Sequence, residues 1–104
     1  MKIGDIEVAE EFIARLCARW KIRSLYIFGS ARTGRLRPDS DIDLLAEFDE
    51  NERWSLLDLA RAELEFARLL GRQVDLVDRR SLERSANDIR RAGILSSTEL
   101  LYAA

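Results

Sequence analysis

Phe28-Gly29-Ser30-Ala31-Arg32-Thr33-Gly34-Arg35-Leu36-Arg37-Pro38-Asp39-Ser40-Asp41-Ile42-Asp43 is the stretch on which the reading of this 104-residue chain turns. It follows Ser24-Leu25-Tyr26-Ile27-Phe28, a short apolar and aromatic run closed by Gly29, the pattern of a buried strand ending in a turn. On its far side the residues Asp41 to Phe48 begin with alternation, Asp41 and Asp43 on one face and Ile42 and Leu44 on the other, and so read as a second strand. Two carboxylates at this spacing project side by side, and nothing about core building requires that. Between them, Gly29-Ser30 precedes a short helix predicted at about Ala31 to Gly34. Backbone N–H groups and a hydroxyl then point to one place, an anion site whose natural ligand is a phosphate. Asp41 and Asp43 are hard oxygen ligands of the kind Mg²⁺ takes together with substrate phosphates, so a metal would join protein to triphosphate. Asp39 and Ser40 read as turn formers after Pro38.

Working outward, Ile6, Ala9, Phe12, Ile13, Leu16, Cys17 and Trp20 fall at steps of three and four, which predicts an amphipathic helix from Ile6 to Trp20 capped by Asp5. Cys17 lies on that stripe and reads as a small buried hydrophobe. Leu57, Ala60, Leu64, Ala67 and Leu70 predict a helix over Trp54 to Leu70, with Gly71 placed for a left-handed cap. Val74-Asp75-Leu76-Val77 reads as a third strand with one acid inside it. That acid, Asp75, is placed to serve as a further metal ligand or as a base toward an attacking hydroxyl. Ser81 is the expected cap of a helix running to about Arg91, where Arg79, Arg80, Arg84, Arg90 and Arg91 interleave with Asp78, Glu83 and Asp88 as a solvated face. Gly93 and the apolar Leu100-Leu101-Tyr102 suggest a break and a short closing helix. Trp54 and Tyr102 read as core or interface aromatics. The predicted order is α-β-β-α-β-α, an α+β (mixed α/β) fold in one domain over residues 1–104.

Composition narrows the chemistry. With 47% hydrophobic and 35% charged residues the chain suits a globular fold, and a net charge of −2 supplies no global field toward nucleic acid or an anionic membrane. Direct nucleic acid binding is therefore not expected. The longest apolar run, Leu100 to Ala104, is far short of the roughly 20 residues that span a bilayer. No basic segment leads into an apolar one, which predicts a cytoplasmic protein with no membrane role. One cysteine and no histidine exclude an internal disulfide, Ser-His-Asp and Cys-His hydrolases, zinc fingers and His-based metalloproteases. Any catalysis must run on carboxylates, hydroxyls, arginines and a hard metal ion.

Gly29-Ser30, ten intervening residues and Asp41-Ile42-Asp43, with Val74-Asp75-Leu76-Val77 downstream, resemble the GS-x10-DxD signature and third carboxylate strand of the DNA polymerase beta superfamily of nucleotidyltransferases. The string from Arg37 to Leu44 is similar to the wording of its minimal nucleotidyltransferase (MNT) branch, and the likeness runs from about Leu25 to Val77. The resemblance implies a small twisted mixed sheet flanked by helices and Mg²⁺-dependent transfer of a nucleoside monophosphate from a triphosphate. By position it implies that Gly29 and Ser30 hold the phosphates. It further implies that Asp41 and Asp43 bind the metal, two ions in the family, and that Asp75 completes the metal site and helps the acceptor attack. Many relatives carry Arg three places after Gly-Ser; here that place is Thr33, with Arg32 before it and Arg35 after it as candidates for the triphosphate contact. The branch also implies an antitoxin that pairs with a HEPN-domain ribonuclease toxin and transfers AMP from ATP to a tyrosine on it. Neutralisation by binding alone, and nucleotidyl transfer to RNA or a small molecule, are the alternatives.

Overall fold

Along the chain the elements are β1 (Lys2–Ile3), β2 (Ile6–Glu7), α1 (Glu10–Arg19), β3 (Ile22–Phe28), β4 (Ile42–Phe48), α2 (Leu56–Leu70), β5 (Val74–Asp78), α3 (Arg79–Glu83) and β6 (Glu99–Ala103). The computed structural model describes residues 1–3, 6–29, 41–84, 92–93 and 98–104. The two seven-residue strands β3 and β4 lie at the centre of a four-stranded sheet of order β5-β4-β3-β6. β4 pairs antiparallel with β3 and parallel with β5, and β6 runs antiparallel to β3. The sheet is therefore mixed, and α2 makes the crossover that the parallel β4–β5 pair requires.

Alternation along the central strands sorts side chains onto two faces. Ile42, Leu44, Ala46 and Phe48 join Ile13 and Cys17 of α1 and Ala62, Phe66 and Leu70 of α2 in the larger core. On the opposite face Phe28 and Leu45 pack with Leu82 of α3, flanked by Tyr26 and Val77. Each fully buried Leu, Ile or Phe here contributes about 1.5–3 kcal/mol of transfer free energy. Helix α2 is bounded at both ends by local chemistry. Ser55 Oγ accepts from Asp58 N–H and Asp58 Oδ2 accepts from Ser55 N–H, both at 3.1 Å, and Gly71 closes the helix at φ +68°. Trp20 and Trp54 meet edge to face with centroids 5.3 Å apart, Trp54 Nε1 donates to Trp20 O, and Trp20 Nε1 donates to Glu65, so the ends of α1 and α2 are locked together.

The mixed α+β class with a small sheet and flanking helices is as expected, and the predicted six-element order is the middle of the nine elements found among the described residues. Both ends differ. Ile6 belongs not to a helix but to a short hairpin, paired with Ile3, and Val8 N–H donates to Met1 O at 2.9 Å. Burying Ile3 and Val8 there outweighs one more helical turn, and α1 begins after Ala9 with no side-chain cap. Asp5, its expected cap, lies outside the described residues. At the other end Leu100-Leu101-Tyr102 is strand rather than helix, because the otherwise unpaired backbone edge of β3 takes it up as β6. Ser81 lies inside α3; the cap is Asp78, whose Oδ1 accepts from Arg80 N–H at 3.0 Å. Arg79 and Arg80 are not a solvated face. Arg79 pairs with Glu47 at 2.7 Å, and Arg80 donates to the carbonyls of Asp49 and Glu52, clamping the loop after β4. No described helix is long and apolar enough to cross a membrane.

Candidate active site

The candidate site lies where β3 ends and β4 and β5 begin. Asp43 alternates with Leu44, whose side chain enters the larger core, so its carboxylate stands on the opposite face with Leu45. Asp75 alternates in the same way with Leu76 and shares that face with Val77. The parallel register sets Asp43 directly beside Asp75, and the antiparallel register sets Phe28 beside Asp43 on its other flank. Gly29, next after Phe28, thereby comes against the Asp43 carboxylate. Its φ is +74°, and a Cβ there would run into Asp43 Oδ2 with Cγ at 3.4 Å. The conformation calls for glycine at this point, and a larger residue would also have to displace the Asp43 carboxylate.

The electrostatics follow from the crowding. Asp43 is half-buried, and burial pushes its carboxyl above the ordinary carboxylate range, with the charges of Asp75 and then Asp41 adding to the rise. Asp41, exposed just before β4, lines a groove of about 320 Å³ with Asp75, Gln73, Leu64 and Glu63. Three acids held within electrostatic reach suit a hard divalent cation, which favours the ionised form of each. Among the described residues no three Asp, Glu, Cys or His groups converge tightly enough to hold a metal by themselves. Mg²⁺ takes one or two carboxylates and fills its remaining positions with phosphate and water oxygens.

Of the residues singled out from sequence, the fold brings Gly29, Asp41, Asp43 and Asp75 to one end of the sheet. Ser30 and Arg32, together with Thr33, Arg35 and the helix predicted at 31–34, lie outside the described residues. Glu63 was not picked out. It sits on α2 beside the buried Ala62, and its Oε2 accepts from Leu76 N–H at 2.9 Å, one residue past Asp75. An acid on an amphipathic helix reads as solvated, and only the packing of α2 against β5 gives it a partner.

The chain is similar to known proteins. The family described as nucleotidyltransferase domain matches residues 9–99. The protein adenylyltransferase MntA of Thermococcus cleftensis is 40% identical over 65 residues, 62% of this chain and 64% of that protein. The matches span less than two thirds of the curated relatives' own length. A chain of a toxin–antitoxin complex crystallised with AMP-PNP superposes with a TM-score of 0.73 at 24% identity, covering 93% of this chain and 75% of that one, a likeness of fold. A solved structure provisionally assigned as a minimal nucleotidyltransferase is 36% identical with a TM-score of 0.62, covering 86% of each chain.

Proposed function

Because the chain belongs to the nucleotidyltransferase domain family, we propose that it is a Mg²⁺-dependent protein adenylyltransferase. In this reading residues 1–104 act as one domain and as the antitoxin of a pair, moving AMP from ATP to a tyrosine hydroxyl on a partner HEPN-domain ribonuclease. The observation that carries the reading is the in-register pair Asp43 and Asp75, with Asp41 near enough to raise the Asp43 carboxyl and a left-handed Gly29 against it. The relative named as a protein adenylyltransferase supports a protein as the acceptor.

Gly29 follows β3, and its missing side chain lets the Asp43 carboxylate lie against it; Ser30 and Arg32 come next in sequence as candidate phosphate contacts. Asp41, Asp43 and Asp75 are the residues that would hold Mg²⁺. When bound, the metal supplies charge neutralisation for the triphosphate and the departing pyrophosphate. Asp75 is exposed at the start of β5, where an incoming hydroxyl can reach it, and accepts the hydroxyl proton. The hydroxyl oxygen bonds to the α-phosphorus, the bond from that phosphorus to the bridging oxygen breaks, and pyrophosphate leaves with the electron pair. Intact-protein mass spectrometry of the partner after incubation with this protein, MgCl₂ and ATP tests the reading. Adenylyl additions with the wild type and none with the Asp41→Asn, Asp43→Asn double variant are the expected result. A stable complex with no mass gain would overturn it in favour of neutralisation by binding.

A further inference from the structure

Among the described residues, strand β5 is an edge of the sheet. Ile42 N–H donates to Gln73 O at 2.9 Å. By the alternation of a parallel ladder, Asp75 therefore turns its backbone groups toward β4, and Leu76 turns its N–H off the sheet. An edge N–H of this kind is left to water or to a passing strand unless a side chain takes it. Glu63 takes it, at 2.9 Å and part-buried, across 13 residues of sequence. The residue that supplies the carboxylate is well held: Glu63 follows buried Ala62 and precedes buried Phe66 on a helix capped at both ends. Glu63 also lines the groove that contains Asp41 and Asp75.

We propose that Glu63 is a positioning residue, whose hydrogen bond to Leu76 N–H ties α2 to the outer edge of β5 and so holds the Asp75 carboxylate opposite Asp43. The kinetic arm of this proposal rests on the transferase reading above. The bond goes to backbone, so an uncharged amide oxygen in the same place serves equally; Glu63→Gln keeps the acceptor and Glu63→Ala removes it. A role for the Glu63 charge, in contrast, would be lost in both variants.

The test compares the two variants with the wild type in the full chain. Leu76 amide exchange and the ¹³C resonance of the Asp75 carboxyl are followed by NMR, and kcat and KM by adenylyl transfer. In Glu63→Ala, Leu76 protection is expected to fall about tenfold or more, the Asp75 carboxyl resonance to move, and kcat to fall about 10- to 100-fold with KM for ATP within about threefold. In Glu63→Gln each quantity stays within about threefold of the wild type, and the Asp75 resonance stays in place. Equal losses in Gln and Ala, unchanged Leu76 protection in Ala, or lost protection with an unmoved Asp75 resonance would each overturn the proposal. A wild type that transfers nothing overturns the transferase reading instead, and the two NMR observables then decide the role of Glu63 alone.

Discussion

Replacing Gly29 by Ala separates the conformational demand at the end of β3 from the steric one. A non-glycine residue at φ +74° costs about 1–2 kcal/mol. The added methyl also meets Asp43 Oδ2, with Asp43 Cγ at 3.4 Å and Cβ at 3.6 Å. The first atom it meets is the end of a short side chain that can rotate, so most of the overlap is relieved by turning the Asp43 carboxylate away. Total destabilisation is thus expected at about 2–3 kcal/mol, of which the conformational part dominates. For a domain of about this size that lowers the Tm by roughly 10–20 °C. The functional loss is larger, because the displaced group is the candidate metal ligand; a shift of about 1 Å at a reacting centre costs about 100-fold in rate. Denaturant unfolding and calorimetric titration of Mg·ATP read the two effects separately. In an Asp43→Ala background the steric part disappears, and Gly29→Ala then costs only the conformational 1–2 kcal/mol. A Gly29→Ala protein with wild-type stability and wild-type Mg·ATP affinity would refute both the backbone argument and the placement of Asp43 beside the phosphate.

Three further outcomes follow from the same structure. The folded-state pKa of Asp43 is raised by burial, Asp75 and Asp41, so its ionisation costs stability that is absent below the ordinary carboxylate pKa and fully present above the raised one. Asp43→Asn should therefore unfold later than the wild type at pH 7 in metal-free buffer, converge with it in acid, and lose the stabilisation that Mg²⁺ gives the wild type; pH-dependent thermal melts check this, and an Asn variant less stable at pH 7 contradicts it. Ser55→Ala removes one half of the capping box of α2 and should cost about 0.5–2 kcal/mol, read by denaturant midpoint with an unchanged slope. Cys17 is fully buried, and burial pushes its thiol up to about 12. Alkylation at pH 8 should consequently proceed only through unfolding, and a rate in native buffer matching that of a free thiol would count against the α1 packing.

Much of the centre of the molecule was legible locally. Gly71 ends α2 where a left-handed residue was expected, and the alternation of Ile42, Asp43 and Leu44 did place the acid and the aliphatics on opposite faces of β4. The misread segments are the short ones. Ile6 fits a helical stripe as well as it fits a two-residue strand, and Leu100-Leu101-Tyr102 has no period long enough to distinguish the two. In each case the deciding partner, Ile3 in one and the edge of β3 in the other, is a backbone that the local pattern does not describe.

The same division holds at the site. The sequence by itself determined which groups could do chemistry: a glycine after a strand, two acids two residues apart, a third acid in a later strand, and no histidine or second cysteine to offer an alternative. Those are properties of residue type and spacing along one chain. Only the tertiary structure decided that Asp43 and Asp75 stand in register, that Gly29 lies against Asp43, and that Glu63 of α2 holds the outer edge of β5. Strand register and helix docking are set by burial of the whole set of side chains on a face, with Phe66, Leu44 and Ile42 among the fully buried, and no single stretch of sequence contains that sum.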